Sequence, residues 1–245
     1  MTVYIQCRDN GVPWYDMCFR VYEECIETGT DFRMVSKTSF FKTKYFRKDI
    51  FVGDVTLTNM FIRQVLAPGF QMIGCYPEEF RPFYGRQIRL ITIEEFQKEN
   101  RRLFVKPKDF KIFNGGVQRF SDIEPYLPAG KSFDEILCYV AEPIEILAEY
   151  RCFVHRGELV GVQHAYGNFH IYPDTAEIQT WISQYTSQPV AYCLDVGLTK
   201  NGQIVVEVND VLCSGTYGFD TDLLQILKDR YAEIIAGKNA GDGQQ

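Results

Sequence analysis

Acidic and amide side chains interrupt two hydrophobic runs near the C-terminal end of the sequence. Asp195 lies in the first run, residues 189–197, and Glu207 and Asn209 lie in the second, residues 203–210. Lys200-Asn201-Gly202 separates the runs, which predicts a β-hairpin with glycine at a position of positive φ. Because Glu207 and Asn209 are two residues apart on a predicted strand, they point to the same face.

The length of the hairpin loop decides whether Asp195 joins these two side chains. A two-residue loop at Asn201-Gly202 would pair Asp195 with Val208 and separate the acids. A three-residue loop, a type I turn over residues 200–202 that ends in a left-handed glycine, would pair Asp195 with Glu207. We favour the second register, because burying a lone carboxylate in strands this apolar is costly.

Two carboxylates and an amide that share a sheet face suit a hard cation. Oxygen ligands in so small a number favour Mg²⁺, with water and phosphate oxygens completing the coordination shell. Spacing alone leaves an alternative open, an edge hairpin that carries three solvated polar side chains.

Composition narrows the classes of protein to which the chain could belong. The formal net charge of −6 argues against a protein that binds nucleic acids of any sequence, because such a protein needs a basic face. The eight cysteines form no CxxC pair and no zinc-binding spacing, so we expect buried thiols in a reducing compartment. With no signal peptide and no run of membrane-spanning length, we expect a soluble cytoplasmic protein that binds neither nucleic acid nor membrane.

The N-terminal third alternates predicted strands and helices. Strands at residues 3–6, 32–35 and 49–53 frame one helix that opens at Pro13 and another that follows an N-cap at Asp54. This order predicts a small α/β domain with a mostly parallel sheet.

The rest of the chain is rich in strands and short turns. A strand over residues 102–106 ends in Lys106, and a glycine-rich turn follows at Asn114-Gly115-Gly116. Pro143 cannot donate a ladder hydrogen bond, so residues 137–154 are predicted as a strand, an exposed connector and a second strand. Glu149 and Arg151 then share one face of that second strand.

Taken in order, these motifs resemble the ATP-grasp superfamily. They are FVKP with Lys106, the glycine-bearing loop, EPIEILAEYR over 142–151, LDVG with Asp195, and VEVND with Glu207 and Asn209. More narrowly, they resemble a clade named for two arginines and a lysine. It includes bacterial and phage domains of unknown function and a eukaryotic cell-division-cycle chaperone that helps to assemble a translation initiation factor. VGDV at 52–55, PFYGRQI at 82–88, GELVGVQH at 157–164 and GTYGF at 215–219 extend the resemblance to about residues 50–230.

The resemblance implies a fold and its domains. An α/β pre-ATP-grasp domain would occupy residues 1–85. A two-lobed α+β ATP-grasp domain with antiparallel sheets would occupy residues 86–245. In that family the nucleotide lies between the two lobes, with the adenine against a connector, here near residues 140–149.

The resemblance also implies roles for individual residues. The two characteristic arginines, candidate catalytic groups, would be Arg86 and Arg151, and Asp195, Glu207 and Asn209 would bind Mg²⁺. The candidate nucleotide-binding residues are Lys106, Lys111, Asn114, Gly115 and Gly116 at the phosphates, Glu142 and Ile144 at the adenine, and Glu149 at the ribose. The earlier lysine of larger ATP-grasp enzymes has no clear counterpart unless Arg86 replaces it.

The implied activity is an ATP- and Mg²⁺-dependent carboxylate–amine ligase that works through an acyl phosphate. Its substrates would be small-molecule or peptide carboxylates and amines. The chaperone relative leaves open an ATP-binding assembly factor or peptide-binding module with little turnover and a protein partner. A kinase that uses the same site is a third alternative.

Overall fold

The computed structural model describes residues 1–108 and 112–237, which fall into two compact units. Unit 1 contains residues 1–83 and 147–237, and unit 2 contains residues 84–146. These units are defined by contacts, whereas the domains at 1–85 and 86–245 are defined by family resemblance, so that division stays a prediction. No helix in the described part of the chain is long and apolar enough to cross a membrane.

The N-terminal part of unit 1 is an α/β layer with a parallel sheet of order β2-β1-β3, as the alternation of elements predicts. Its elements are β1 (Val3–Cys7), α1 (Asp16–Thr28), β2 (Phe32–Ser36), α2 (Lys37–Phe40), β3 (Ile50–Val52) and α3 (Val55–Phe61). A π-helical turn, Ile62–Leu66, continues α3.

Capping residues define the helix boundaries in this layer. The Asp54 side chain accepts from the Leu57 amide and begins α3, as predicted. Gly29 ends α1 in the left-handed conformation, with φ of 66°. However, α1 begins at Asp16 and not near Pro13, because Pro13 forms a β-bridge with Cys7.

Unit 2 is an antiparallel sheet of order β4-β7-β5-β6 with short helices. Its elements are β4 (Arg89–Thr92), α4 (Ile93–Glu99), β5 (Leu103–Pro107), β6 (Gly116–Gln118), α5 (Phe120–Ile123) and β7 (Leu137–Ala141). A separate apolar cluster that includes Ile93, Phe96 and Val140 forms its core.

After β7 the chain has no regular structure over residues 142–147 and then returns to unit 1, which confirms the predicted connector at Pro143. The following elements are β8 (Ala148–His155), β9 (Glu158–Gly167), α6 (Thr175–Gln184), β10 (Ala191–Thr199), β11 (Gly202–Asp210) and α7 (Leu223–Ile235). The strands form an antiparallel sheet of order β11-β10-β8-β9.

The β10–β11 hairpin has the predicted pairing but a different loop. Asp195 lies opposite Glu207, as expected. The three-residue loop was wrong, because Thr199 pairs with Gly202 and leaves only Lys200 and Asn201 in the turn. The register instead shifts at a β-bulge beside Asp195, where one extra residue on β11 brings Glu207 opposite the aspartate.

One hydrophobic core joins the two ends of the chain within unit 1. It contains Val3 and Phe51 of the parallel sheet, Phe153 and Cys193 of the antiparallel sheet, and buried residues of α7 such as Leu227. Residues 1–83 therefore pack as one body with the C-terminal segment.

Candidate active site

A row of polar side chains crosses the antiparallel sheet of unit 1. Gln163 on β9 lies opposite Arg151 on β8, Arg151 lies opposite Asp195 on β10, and Asp195 lies opposite Glu207 on β11. Side chains of directly opposed residues point to the same face, so these groups from four strands lie side by side on one face of the sheet. Asn209, two residues beyond Glu207, points to the same face.

Arg151 and Asp195 form a bidentate ion pair. Arg151 Nε lies 2.8 Å from Asp195 Oδ1, and Nη2 lies 2.7 Å from Oδ2. Asp195 is almost fully buried. Burial alone would lower the pKa of the Arg151 guanidinium, but its bonds with Asp195 outweigh burial and raise that pKa above the ordinary value. The arginine is therefore a fixed positive charge in a planar geometry suited to carboxylate or phosphoryl oxygens.

Asn209 links the two acidic side chains. Its amide nitrogen donates to Asp195 Oδ2 at 3.0 Å and to Glu207 Oε1 at 2.9 Å. Two carboxylate oxygens from different strands thus converge on a single electropositive donor.

This donor set fits a hard divalent cation. Asp195 and Glu207 offer carboxylate oxygens, and Asn209 offers a third oxygen when its amide carbonyl faces the site. Mg²⁺ is usually bound by one or two carboxylates, with water or phosphate in its remaining positions. In the described part of the chain no group of three or more His, Cys, Asp or Glu side chains is placed to hold a metal. The candidate set contains only two carboxylates, since its third oxygen would come from the amide of Asn209. Both oxygens of Asp195 also accept hydrogen bonds from Arg151.

Glu149 lies one row from Arg151 on the same strand, two residues before it. Its cross-strand neighbour on β10 is Gly197. The glutamate is half-buried and shares the face of the polar row, as predicted from its spacing.

The loop that follows β11, residues 214–219, also contacts Arg151. Arg151 Nη1 donates to the carbonyl of Gly215 at 3.2 Å, and the guanidinium lies 5.0 Å from the centre of the Tyr217 ring. The arginine is therefore held by a carboxylate, a carbonyl and an aromatic face.

In unit 2, Arg86, the other arginine predicted to act in the site, lies near the candidate lysine. The Arg86 guanidinium lies 4.9 Å from the centre of the Phe104 ring. Phe104 and Lys106 are two residues apart on β5 and share its half-exposed face. Gly115 lies against the stem of Lys106, since a Cβ placed there would be 3.3 Å from both Lys106 Cβ and Cγ.

The remaining predicted nucleotide-binding residues also lie in unit 2. Gly116 begins β6 opposite Val105, and the Asn114 carbonyl accepts from the Gln118 side chain at 2.7 Å. Glu142 pairs with Arg101 at 2.6 Å, and Ile144 lies in the connector. Lys111 lies outside the described residues.

Asp16 is a residue near this site that the sequence pattern did not reveal. Its carboxylate accepts from Thr216 and Tyr217, 200 and 201 positions further along the chain. No periodicity or spacing signal connects positions so far apart.

The antiparallel sheets and the parallel α/β layer that precedes them match the fold of ATP-grasp proteins. The ATP-grasp domain of family 2 in the clade named for two arginines and a lysine matches residues 83–225, more than half of the chain. The chain belongs to this family.

Solved structures of the same fold extend over nearly the whole chain. D-cycloserine synthetase DcsG is 10% identical with a TM-score of 0.55, and the match covers 96% of this chain and 100% of that one. An ATP-grasp RimK domain protein from Sphaerobacter thermophilus DSM 20745 is 13% identical with a TM-score of 0.54, covering 98% and 100%.

D-alanine–D-alanine ligase from Bacillus anthracis, in complex with ATP, is 12% identical with a TM-score of 0.51 and covers 97% and 98%. No protein of curated function matches the sequence. At these identities the structural similarity establishes the fold.

Proposed function

We propose that this protein is an ATP-dependent carboxylate–amine ligase that forms an amide or peptide bond through an acyl phosphate. The row Arg151–Asp195–Glu207, bridged by Asn209, carries the proposal. It combines a fixed cation with convergent carboxylate oxygens in a chain of the ATP-grasp family.

The residues of each unit have separate proposed tasks. In unit 2, Lys106 and the backbone at residues 114–116 would bind the α- and β-phosphates, with Glu142 and the connector at the adenine. In unit 1, Glu149 would accept from the ribose hydroxyls, and Asp195, Glu207 and Asn209 would hold Mg²⁺. When bound, the metal would neutralise charge on the β- and γ-phosphates.

In the proposed reaction a substrate carboxylate oxygen attacks the γ-phosphorus, and the bond to the β–γ bridging oxygen breaks to release ADP. The amine of the second substrate then attacks the acyl carbon, loses a proton and displaces phosphate. The protein supplies no nucleophile. Arg151 and Arg86 would orient the transferring group and compensate its negative charge through planar, multidentate bonds.

A substrate screen tests this proposal. The protein is incubated with ATP, Mg²⁺ and pools of amino acids, short peptides and small carboxylates, while ADP is measured by a coupled assay and products by mass spectrometry. We expect ADP and a condensed product in at least one pool, both abolished by EDTA. Failure of every pool to raise ADP above background would refute the ligase.

The Arg151–Asp195 pair favours a second candidate, an ATP-binding module with little turnover. Because both oxygens of Asp195 accept from Arg151, this carboxylate is already neutralised. Tight ATP binding with negligible ADP release, together with a stable protein partner in a pull-down, would support this candidate. ADP release with a phosphorylated product and no condensation would instead indicate a kinase.

A further inference from the structure

The loop over Arg151 is tied to the first helix of the chain. The Oδ2 atom of Asp16, at the start of α1, accepts from the Thr216 amide at 2.6 Å, the Thr216 hydroxyl at 2.9 Å and the Tyr217 amide at 3.3 Å. Its Oδ1 accepts from the amide of Met17 at 2.9 Å, within α1. One carboxylate therefore joins α1 to the loop with both of its oxygens.

Gly215 lies between this carboxylate and the arginine. A Cβ added at Gly215 would be 3.6 Å from Asp16 Oδ2 and 3.8 Å from Arg151 Nη1, while the Gly215 carbonyl accepts from that same Nη1. Displacing the loop from Asp16 would thus displace a direct partner of Arg151.

The loop has a backbone conformation that needs external support. Tyr217 has a φ of 49° and Gly218 a φ of 89°, and the left-handed region is strained for a residue other than glycine. At its far end the loop is fixed by Phe219, which stacks on Phe153 with ring centres 4.1 Å apart. At its near end, the hydrogen bonds to Asp16 compensate the cost at Tyr217.

We propose that Asp16 is a positioning residue for the phosphoryl-transfer site. It holds the loop of residues 214–219 (the 214–219 loop) so that the Gly215 carbonyl and the Tyr217 ring fix the guanidinium of Arg151. The inference rests on the proposed function for its effect on turnover. By this proposal the N-terminal α/β layer helps to position Arg151, in addition to contributing side chains to the core.

Asp16→Ala tests the proposal because alanine removes Oδ2, the single oxygen that accepts all three hydrogen bonds from the loop. Thr216→Val is a second variant that removes the hydroxyl donor and keeps both backbone bonds. Glu27→Gln, an exposed carboxylate on the same helix, is the matched control for loss of charge. All variants are made in the full chain, and thermal unfolding checks that each is folded.

The first readout is amide hydrogen exchange in peptides that cover residues 213–219, which needs no substrate. We expect faster exchange in this segment for Asp16→Ala, a smaller increase for Thr216→Val and no change for Glu27→Gln. Unchanged exchange in folded Asp16→Ala would overturn the inference, whatever the activity of the protein.

The second readout is ADP formation in a pool active with wild type. For Asp16→Ala we expect kcat to fall at least about tenfold, since misplacement of a reacting group by about 1 Å can cost 10²-fold. The Kd for Mg²⁺-ATP should change less than about twofold, because Asp16 contacts the loop and not the predicted nucleotide ligands. If Asp16 had only a structural role, the substitution would lower thermal stability without lowering kcat more than it changes the Kd for Mg²⁺-ATP. Faster exchange with unchanged kcat would overturn the positioning role, and an inactive wild type with the exchange result intact would refute the ligase alone.

Discussion

Arg151 combines three partners that no other basic side chain could satisfy together. Its guanidinium makes parallel bonds to both oxygens of Asp195, donates to the Gly215 carbonyl and faces the Tyr217 ring. A lysine offers a compact ammonium with no planar fork, so it cannot reproduce this set.

We therefore expect Arg151→Lys to lower both stability and turnover. Loss of charge-assisted bonds to a buried carboxylate should reduce the free energy of unfolding by about 1–3 kcal/mol. Urea unfolding measures this change. Arg156→Lys, an exposed arginine at the following turn, is the control and should change stability by less than about 0.5 kcal/mol. Equal effects of the two substitutions would contradict the assigned role of the pair.

Glu207 tests the metal site without removing the buried ion pair. Glu207→Ala should reduce Mg²⁺-dependent ADP formation by an amount that corresponds to about 2–4 kcal/mol of transition-state stabilisation. Circular dichroism should show a native fold, since this side chain is only half-buried. Glu158→Ala, an exposed glutamate on the edge strand β9, is the control. Wild-type turnover in Glu207→Ala would remove the metal assignment.

At the scale of elements, two glycines allow close approaches between neighbouring segments. A Cβ on Gly161 of β9 would come within 2.4 Å of the Phe219 ring, which closes the 214–219 loop. Gly115 lies in the same way against the Lys106 stem, at a distance that a side chain could just absorb. Both glycines are explained by proximity and not by positive φ.

Gly115→Ala should displace Lys106 by a few tenths of an ångström. We expect the Kd for Mg²⁺-ATP to rise about threefold to tenfold, which corresponds to a loss of about 0.7–1.4 kcal/mol. Isothermal titration calorimetry measures this Kd. Gly69→Ala, where an added Cβ meets nothing within 4 Å, is the control. An unchanged Kd in Gly115→Ala would mean that Lys106 does not contact the nucleotide.

The N-terminus of α7 is capped by another helix. Glu24 of α1 accepts from the Leu223 amide at 3.2 Å and the Leu224 amide at 2.7 Å, while the N-cap residue Asp222 makes no side-chain cap. Burial raises the pKa of Glu24, although these two amides lower it in part.

A pKa raised in the folded state predicts the sign of a pH effect. Above the ordinary glutamate pKa of about 4.3, the folded chain holds this proton more tightly than the unfolded chain, so stability falls as pH rises through the folded pKa. Glu24→Gln removes the titration. The wild-type minus Glu24→Gln difference in unfolding free energy should therefore decrease between pH 4 and pH 7, measured by urea unfolding. Glu27→Gln controls for the loss of a carboxylate from α1, and an increase with pH would contradict the shift.

At the scale of the whole molecule, the chain leaves unit 1 at residue 84 and returns at residue 147. Both ends contribute to one core, in which the Tyr231 hydroxyl of α7 donates to the Phe51 carbonyl of β3. Residues 1–83 and the C-terminal segment of unit 1 therefore depend on each other for the burial of their apolar side chains.

A fragment of residues 86–245 should consequently fail to fold as a unit. Without the parallel sheet, the apolar faces of α7 and of the antiparallel sheet lose their packing partners. We expect no cooperative thermal transition by circular dichroism and no dispersed amide spectrum, whereas the full chain gives both. A cooperative transition in the fragment would show that residues 86–245 fold without the N-terminal layer.

Local signals in the sequence were enough to predict much of the fold. Asp54 as an N-cap, Gly29 as a helix end, Pro143 as a break between strands and the alternation of the first three strands all act over a few residues. Such features depend on φ, on hydrogen-bond donors and on side-chain periodicity, which neighbouring residues determine.

The polar pattern of the hairpin also determined the pairing of Asp195 with Glu207, because separated carboxylates would have been costly to bury. The sequence did not determine how that pairing arises. A two-residue loop and a bulge give the same result as a longer loop, and their balance depends on the twist of the whole sheet.

Only the tertiary structure decided that Arg151 binds Asp195, that Asp16 holds the 214–219 loop, and that both chain ends share one core. These contacts join positions 44 to 200 residues apart, for which no local spacing carries information. The sequence alone therefore specified which chemical groups are present and which face of each strand they occupy. Topology determined which of them meet, because strand order and helix packing are settled by the burial of the complete core.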